Sequence, residues 1–141
     1  MLATKLRMIA LMGAMGLVCM AGYAQSTPKE VAQTSDKAWL SLIDTGKYAE
    51  SWKAASAGFQ SAVSEEKWEE MVAKARAPLG DVKSRKLESA TETKTLPGAP
   101  DGDYVVAKFD TSFEHKQAAV ETVVSSKEKD GNWRVAGYFI K

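Results

Sequence analysis

Cysteine and histidine are nearly missing from this sequence, which has one of each in 141 residues. One cysteine cannot form a disulfide within the chain, and zinc sites normally draw on several histidine or cysteine ligands. The sequence also lacks a Gly-x-Ser-x-Gly nucleophile motif, a phosphate-binding glycine loop and a dinucleotide fingerprint. It therefore predicts no catalytic residue, no metal site and no cofactor.

A surplus of charge is missing too, because 19 Lys and Arg stand against 18 Asp and Glu. Proteins that bind nucleic acid or an anionic membrane surface normally carry a clear basic excess. The sequence therefore predicts no nucleic-acid partner.

The few residues that could bind a metal or transfer protons are better explained as turns. His115 lies between Glu114 and Lys116, a polar triplet that favours a solvated turn over a general base. Asp101 and Asp103 flank a glycine, but the other ligands of a calcium loop do not follow them.

Long apolar runs are scarce, and the longest stands near the N-terminus. It extends from Met8 to Met20 behind Lys5 and Arg7, and the small residues Gly22 and Ala24 follow it. A basic start, a short apolar run and a small-x-small end are typical of a secretory signal peptide. A membrane span would need roughly 20 apolar residues. We expect a signal peptide at residues 1–24, export to the periplasm and a mature domain at 25–141.

Cys19 offers a competing interpretation, in which an attached lipid anchors the mature protein. The peptidase that processes lipoproteins requires a small residue before the cysteine, and Val18 stands there. We interpret Cys19 as an apolar residue of the signal helix. We expect no lipid anchor and no membrane span after cleavage.

The mature part divides into a helical half and a strand half. A capping box at Thr27–Glu30 predicts a helix that continues to Gly46. Two further helices are predicted, at about 47–60 and from Ser64 to before Pro78. Alternating residues then predict strands at 82–95, 104–113, 117–128 and 132–140. This order predicts an α+β domain, with N-terminal helices packed on a curved four-stranded antiparallel sheet.

Several motifs occur together and in a fixed order. They are Asp44-x-Gly46-x-Tyr48, Arg76-x-Pro78-Leu79-Gly80, Leu96-Pro97-Gly98-x-Pro100-Asp101-Gly102-x-Tyr104 and Asp130-Gly131-x-Trp133-Arg134-Val135-x-Gly137-Tyr138-Phe139-Ile140. In these motifs the chain resembles the bacterial family known as domain of unknown function 4019, over roughly residues 32–141. It is also similar in element order to the nuclear transport factor 2-like (cystatin-like cone) group. That resemblance implies a conical pocket between helices and sheet, but the family brings no known activity.

Three aromatic residues are candidates for lining such a pocket. Tyr48, Trp52 and Tyr104 combine an apolar ring with a polar group, as residues of small-molecule sites often do. They predict a small apolar ligand. Asp44, Tyr48 and Tyr104 are also the one set that suggests a cone-fold enzyme of the isomerase or dehydratase type.

The Asp130-Gly131 turn sets a register for the last two strands. A two-residue turn would pair Lys127 with Arg134 and would place six residues on one face: Ala119, Glu121, Val123, Arg134, Tyr138 and Ile140. The opposite face would carry Val120, Thr122, Val124, Trp133, Val135 and Phe139. We expect the second, more apolar set to meet the helices. The first set then forms an outer interface, with a homodimer as the first expectation.

Three functions remain after these observations. A non-catalytic binding or interaction domain is the first, an envelope assembly component acting through its sheet face the second, and a cone-fold enzyme the third. A buried acid in a roomy cavity would favour the enzyme. A dry aromatic pocket would favour a ligand binder, and a filled interior with an apolar outer sheet would favour the assembly component.

Overall fold

The computed structural model describes residue 22 and residues 24–141, with four helices that precede four strands. The helices are α1 (Pro28–Asp44), α2 (Tyr48–Ala54), α3 (Ala57–Ala62) and α4 (Glu65–Arg76), followed by a 3₁₀ turn at Ala77–Leu79. The strands are β1 (Val82–Thr93), β2 (Tyr104–Phe113), β3 (Lys116–Lys127) and β4 (Trp133–Ile140). The predicted α+β class is confirmed. The predicted signal peptide at residues 1–24, apart from Gly22 and Ala24, lies outside the described residues, and so does Cys19.

Helix α1 begins at the predicted capping box. Thr27 Oγ1 accepts a hydrogen bond from the Glu30 N–H at 3.3 Å, and Glu30 Oε2 accepts one from the Thr27 N–H at 2.7 Å. These two bonds satisfy amide groups that the start of a helix otherwise leaves unpaired. Gly46 follows the helix at φ 75°, a left-handed conformation that favours glycine.

In place of the one helix predicted at about residues 47–60, the chain forms two helices, α2 and α3. Ser56 adopts an extended conformation, and its hydroxyl accepts from the Phe59 N–H to cap α3. The Ser56 N–H donates to the Val135 carbonyl in β4 at 2.8 Å. The break therefore joins the helical part to the sheet, because a continuous helix would use that N–H internally.

The four strands form one antiparallel sheet in the order β1-β2-β3-β4. Three hairpins therefore connect neighbours, as predicted. The β2–β3 turn at Glu114 and His115 lies beside Gly80, whose φ is 72°. A Cβ at position 80 would come within 2.9 Å of Glu114, so glycine is required there both by conformation and by space.

A bulge in β4 changes the predicted register. Lys127 pairs with Trp133 and not with Arg134, whereas Val123 pairs with Tyr138 and Glu121 with Ile140 as predicted. The shift falls between the Val124 and Ser125 pairs, which leaves Ala136 as the extra residue. Because a bulge reverses the alternation of a strand, Val135 and Tyr138 both face inward.

The face assignment in the sequence analysis is wrong. Five of the six residues predicted on the outer face lie on the inner face: Ala119, Glu121, Val123, Tyr138 and Ile140. Glu121 and Val123 are fully buried against the helices. Arg134 alone lies on the outer side, where it pairs with Asp130. From the opposite set, Val120, Thr122, Val124 and Phe139 face outward, whereas Val135 is buried in the core as predicted.

Candidate functional site

The space between helices and sheet is filled by aromatic side chains. Trp39 lies at the centre, with ring centroids 5.9 Å from Trp68 and 5.3 Å from Tyr138. The indole N–H groups of Trp39 and Trp68 donate to the carbonyl and the hydroxyl of Ser51, at 2.8 and 2.9 Å. Phe59 and Phe109 complete this cluster. Both indole groups are thus satisfied inside the core.

A partly buried ionic cluster adjoins the aromatic residues: Glu121 and Arg76 are buried, Arg85 is half-buried and Asp44 is exposed. Arg85 donates from Nε and Nη2 to the two carboxylate oxygens of Glu121, at 2.7 and 3.2 Å. From Nη1 and Nη2 it donates to Asp44, at 2.7 and 2.9 Å. Arg76 reaches the same Asp44 at 3.0 Å and lies over the Phe113 ring. Planar guanidinium groups suit such bidentate pairing.

Glu121 has four hydrogen bonds although it is fully buried. Besides Arg85, the Thr111 hydroxyl donates to it at 2.6 Å, and the Tyr138 hydroxyl donates to the other oxygen. Burial, followed by the negative charge of Glu121, raises the pKa of Tyr138 above its usual range. Burial alone would raise the pKa of Asp44, but Arg85 and Arg76 hold it below the ordinary value.

A second buried acid, Asp36, has far fewer partners. The Ser125 hydroxyl donates to one oxygen, and the other oxygen has no partner within the described part of the chain. Burial raises the pKa of Asp36 to about 7, and the bond from Ser125 only partly offsets this. Among residues 24–141, no cation forms an ion pair with this carboxylate in the way that Arg85 pairs with Glu121.

The predicted ligand residues do not share a site. Tyr48 and Trp52 pack against the outside of the aromatic cluster, and the Trp52 indole donates to the Val63 carbonyl at 2.8 Å. Tyr104 belongs to the opposite side of β2, where its hydroxyl donates to the Pro100 carbonyl. Asp44 is held by arginines, so the Asp44, Tyr48 and Tyr104 set suggested for an enzyme is not assembled. A ligand role for Tyr48, Trp52 and Tyr104 remains a prediction.

The outer face of the sheet carries several apolar side chains, most of which were predicted to face the helices. Val106 pairs with Val124, and Thr122 pairs with Phe139. Phe139 is 60% exposed. A Cβ at Gly137 would lie 3.3 Å from the Phe139 ring, so the ring rests on the glycine. We call Val106, Val120, Thr122, Val124 and Phe139 the outer apolar patch.

A cavity of about 470 Å³ opens at one end of the sheet, where β1 and β3 end and β2 and β4 begin. Its walls include two aromatic residues, Trp133 and the predicted ligand residue Tyr104, and charges of both signs, from Glu92, Lys94, Asp103 and Lys127. Pro28 at the start of α1 closes one side. We call this cavity the end pocket; it combines features typical of small-molecule sites.

His115 and Asp101 are exposed in turns, as predicted. Over the described residues, no group of three or more histidine, cysteine or acidic side chains is placed to bind a metal ion. In the same part of the chain, none of the helices is both long and apolar enough to cross a bilayer.

The fold and the site together define an α+β domain in which helices cover one face of an antiparallel meander. Ion pairs of Arg76 and Arg85 adjoin its core, and the other face of the sheet carries apolar side chains. The model of the family described as "Protein of unknown function (DUF4019)" matches residues 35–138. The chain belongs to this family. None of the curated proteins matches the chain in sequence.

Proposed function

We propose that the mature chain is an exported, non-catalytic interaction domain that pairs with a second copy of itself through the outer apolar patch. The observation that carries this proposal is Phe139, an aromatic side chain 60% exposed on the outer face of the edge strand β4. Antiparallel sheets with one wet face normally alternate apolar and polar residues. Exposed apolar groups that run across neighbouring strands are typical of interaction surfaces.

The charges beside the patch favour a second copy as the partner. Lys108 and Asp110 lie on the outer face of β2, two residues apart. When two such sheets stack with their β2 strands antiparallel, Lys108 of each copy lies over Asp110 of the other. A surface that meets itself about a two-fold axis must be self-complementary in this way.

The filled inner face supports a role without catalysis. Asp44 and Glu121 are occupied by Arg85, Asp36 is fully enclosed and accepts a hydrogen bond from Ser125, and aromatic rings take up the surrounding volume. General acid–base catalysis needs a titratable group within reach of a bound substrate. An envelope assembly component would use the same outer face, so this second function differs only in its partner.

Export rests on the signal-like pattern of residues 1–24 and is part of the proposal. One experiment tests both parts. The full chain is expressed in a bacterium, periplasmic protein is purified and weighed by mass spectrometry, and its sedimentation is followed from 1 to 200 µM. We expect cleavage near Ala24 and a monomer–dimer equilibrium. A species that retains Met1 contradicts export, and a monomer at every concentration contradicts pairing.

Two exposed apolar residues provide a matched pair of variants. Phe139→Lys places a charge inside the patch and should weaken dimerisation at least tenfold, as loss of a central aromatic anchor does. Met71→Lys makes the same change at a residue 50% exposed on α4, and should leave dimerisation unchanged. Equal effects of the two variants would contradict the role of the outer apolar patch.

A further inference from the structure

The end pocket lies where the last residues of β1 and β3 and the first residues of β2 and β4 meet the start of α1. Ser35 of α1 donates from its hydroxyl to the Trp133 carbonyl at 2.8 Å, which fixes this tryptophan to the helix. Trp133 is half-buried, so part of its ring faces the pocket. The half-buried Trp133 ring therefore offers an apolar wall on a backbone that is tied to the helix.

Opposite charges stand on the two sides of the pocket. Glu92 belongs to β1 and Lys127 to β3, with β2 between them. Within the described residues, neither forms an ion pair. Glu92 is level with Val105 and Ser125, and Lys127 lies two residues further along β3, so two strand spacings and two residue steps separate their backbones by roughly 12 Å. The pocket thus has an acidic side and a basic side.

The remaining charges of the pocket neutralise each other. Lys94 pairs with Asp103, and Lys94, followed at longer range by Lys127, holds the pKa of Asp103 below its usual value. The net charge of the lining is zero, so a simple anion or cation gains little electrostatic binding energy from it. A ligand with a positive and a negative end gains at both sides.

We propose that the end pocket binds a short zwitterionic peptide of about three residues. Its ammonium group lies at Glu92, its carboxylate at Lys127 and an apolar side chain against Trp133. Three extended residues span about 10 Å, at roughly 3.5 Å each, which is shorter than the backbone separation of roughly 12 Å by a length that the two side chains lining the pocket can cover. The cavity of about 470 Å³ is large enough for a ligand of this size.

The test uses one tripeptide, Ala-Leu-Ala, in two forms. One has free termini, and the other is acetylated and amidated, so that it has the same side chains without the terminal charges. Binding to the mature protein is followed by NMR at the indole N–H of Trp133, which is assigned with Trp133→Phe. We expect the free peptide to shift this resonance at millimolar concentration and the blocked peptide to bind at least tenfold more weakly.

Three variants locate the site. Lys127→Gln and Glu92→Gln should each weaken binding of the free peptide about tenfold, as expected for loss of a charge-assisted contact. Lys129→Gln changes an exposed lysine outside the end pocket and should bind as the wild type does. A urea midpoint measured for each variant shows that it is folded.

Three results would overturn the proposal. The first is an unchanged Trp133 resonance at 10 mM free peptide, and the second is equal affinity for both peptide forms. The third is a loss of peptide affinity in Lys129→Gln as large as that in Lys127→Gln. The proposal does not depend on pairing through the outer apolar patch, because Phe139→Lys should leave peptide binding unchanged. The dimer and the peptide site can therefore fail separately.

Discussion

The two buried acids of the inner face, Glu121 and Asp36, differ in how their charge is compensated. Glu121 accepts four hydrogen bonds, two of them from Arg85. Asp36 accepts one, from Ser125, and its pKa is raised to about 7. Removing a carboxylate from water costs several kcal/mol, which a cation with good geometry offsets and a hydroxyl does not. Burial alone therefore does not determine whether an acid stabilises this fold.

The largest expected effect comes from removing the compensated acid. Glu121→Ala leaves Arg85 buried with half of its partners and opens a cavity. Breaking a buried pair in this way costs about 3–5 kcal/mol. Urea unfolding at pH 7 measures it, with Glu114→Ala as a control at an exposed acid. A loss below about 1 kcal/mol would show that the Arg85 cluster contributes little to stability.

Asp36 should act through pH. In the unfolded chain its pKa is near 3.8, and in the folded protein it is about 7. Between these values the folded state holds a proton that the unfolded state has lost, so stability falls as pH rises from about 4 to 7. The total is on the order of 4 kcal/mol. Because asparagine does not titrate, the stability of Asp36→Asn should not show this fall with rising pH.

Urea midpoints at pH 4.5, 6 and 7.5 test this expectation. The difference in stability between Asp36→Asn and the wild type should grow in favour of the variant as pH rises. A constant difference over this range would mean that Asp36 titrates at an ordinary pKa. Ser125→Ala serves as a second variant, since loss of its bond to the carboxylate should raise the pKa of Asp36 further and extend the fall in stability to higher pH.

Tyr138 and Phe139 are neighbours in β4 that lie on opposite faces of the sheet, so variants at these two positions compare what each face contributes to stability. Tyr138→Phe removes one hydroxyl that donates to Glu121 and should cost about 1.5–3 kcal/mol, as bonds to charged groups do. Phe139→Thr removes a whole exposed ring and should change the stability of the monomer by only about 0.5 kcal/mol. Unfolding at low micromolar concentration measures both. The reverse order would contradict the face assignment.

The local part of the fold could be predicted from the sequence. The capping box at Thr27 and Glu30 involves residues three apart, and the strand ends are marked by turns such as Asp130-Gly131. The same locality explains the errors. Ser56 breaks a helix because its N–H finds Val135, which is distant in sequence, and no signal near residue 56 announces this partner.

The sheet faces were assigned wrongly because polar residues were counted as solvent-facing. Glu121 is buried through Arg85, 36 residues away in the chain, and Ser125 through Asp36. The bulge at Ala136 then moves Val135 to the inner face, so the apolar residues of β4 do not follow one alternation. Covariation between positions 85 and 121 is the signal that could have revealed the inner face.

The connection between α2 and α3 also limits how this sheet can grow. On the edge of β4 that faces away from β3, the Val135 carbonyl accepts from the Ser56 N–H and the Trp133 carbonyl from the Ser35 hydroxyl. An incoming strand would have to displace both donors before it could pair there. Growth by strand addition is therefore blocked at β4, and β1 is left as the edge open to a further strand. Repeated edge-to-edge addition needs two open edges, so fibrils of stacked native domains cannot propagate beyond a single joint.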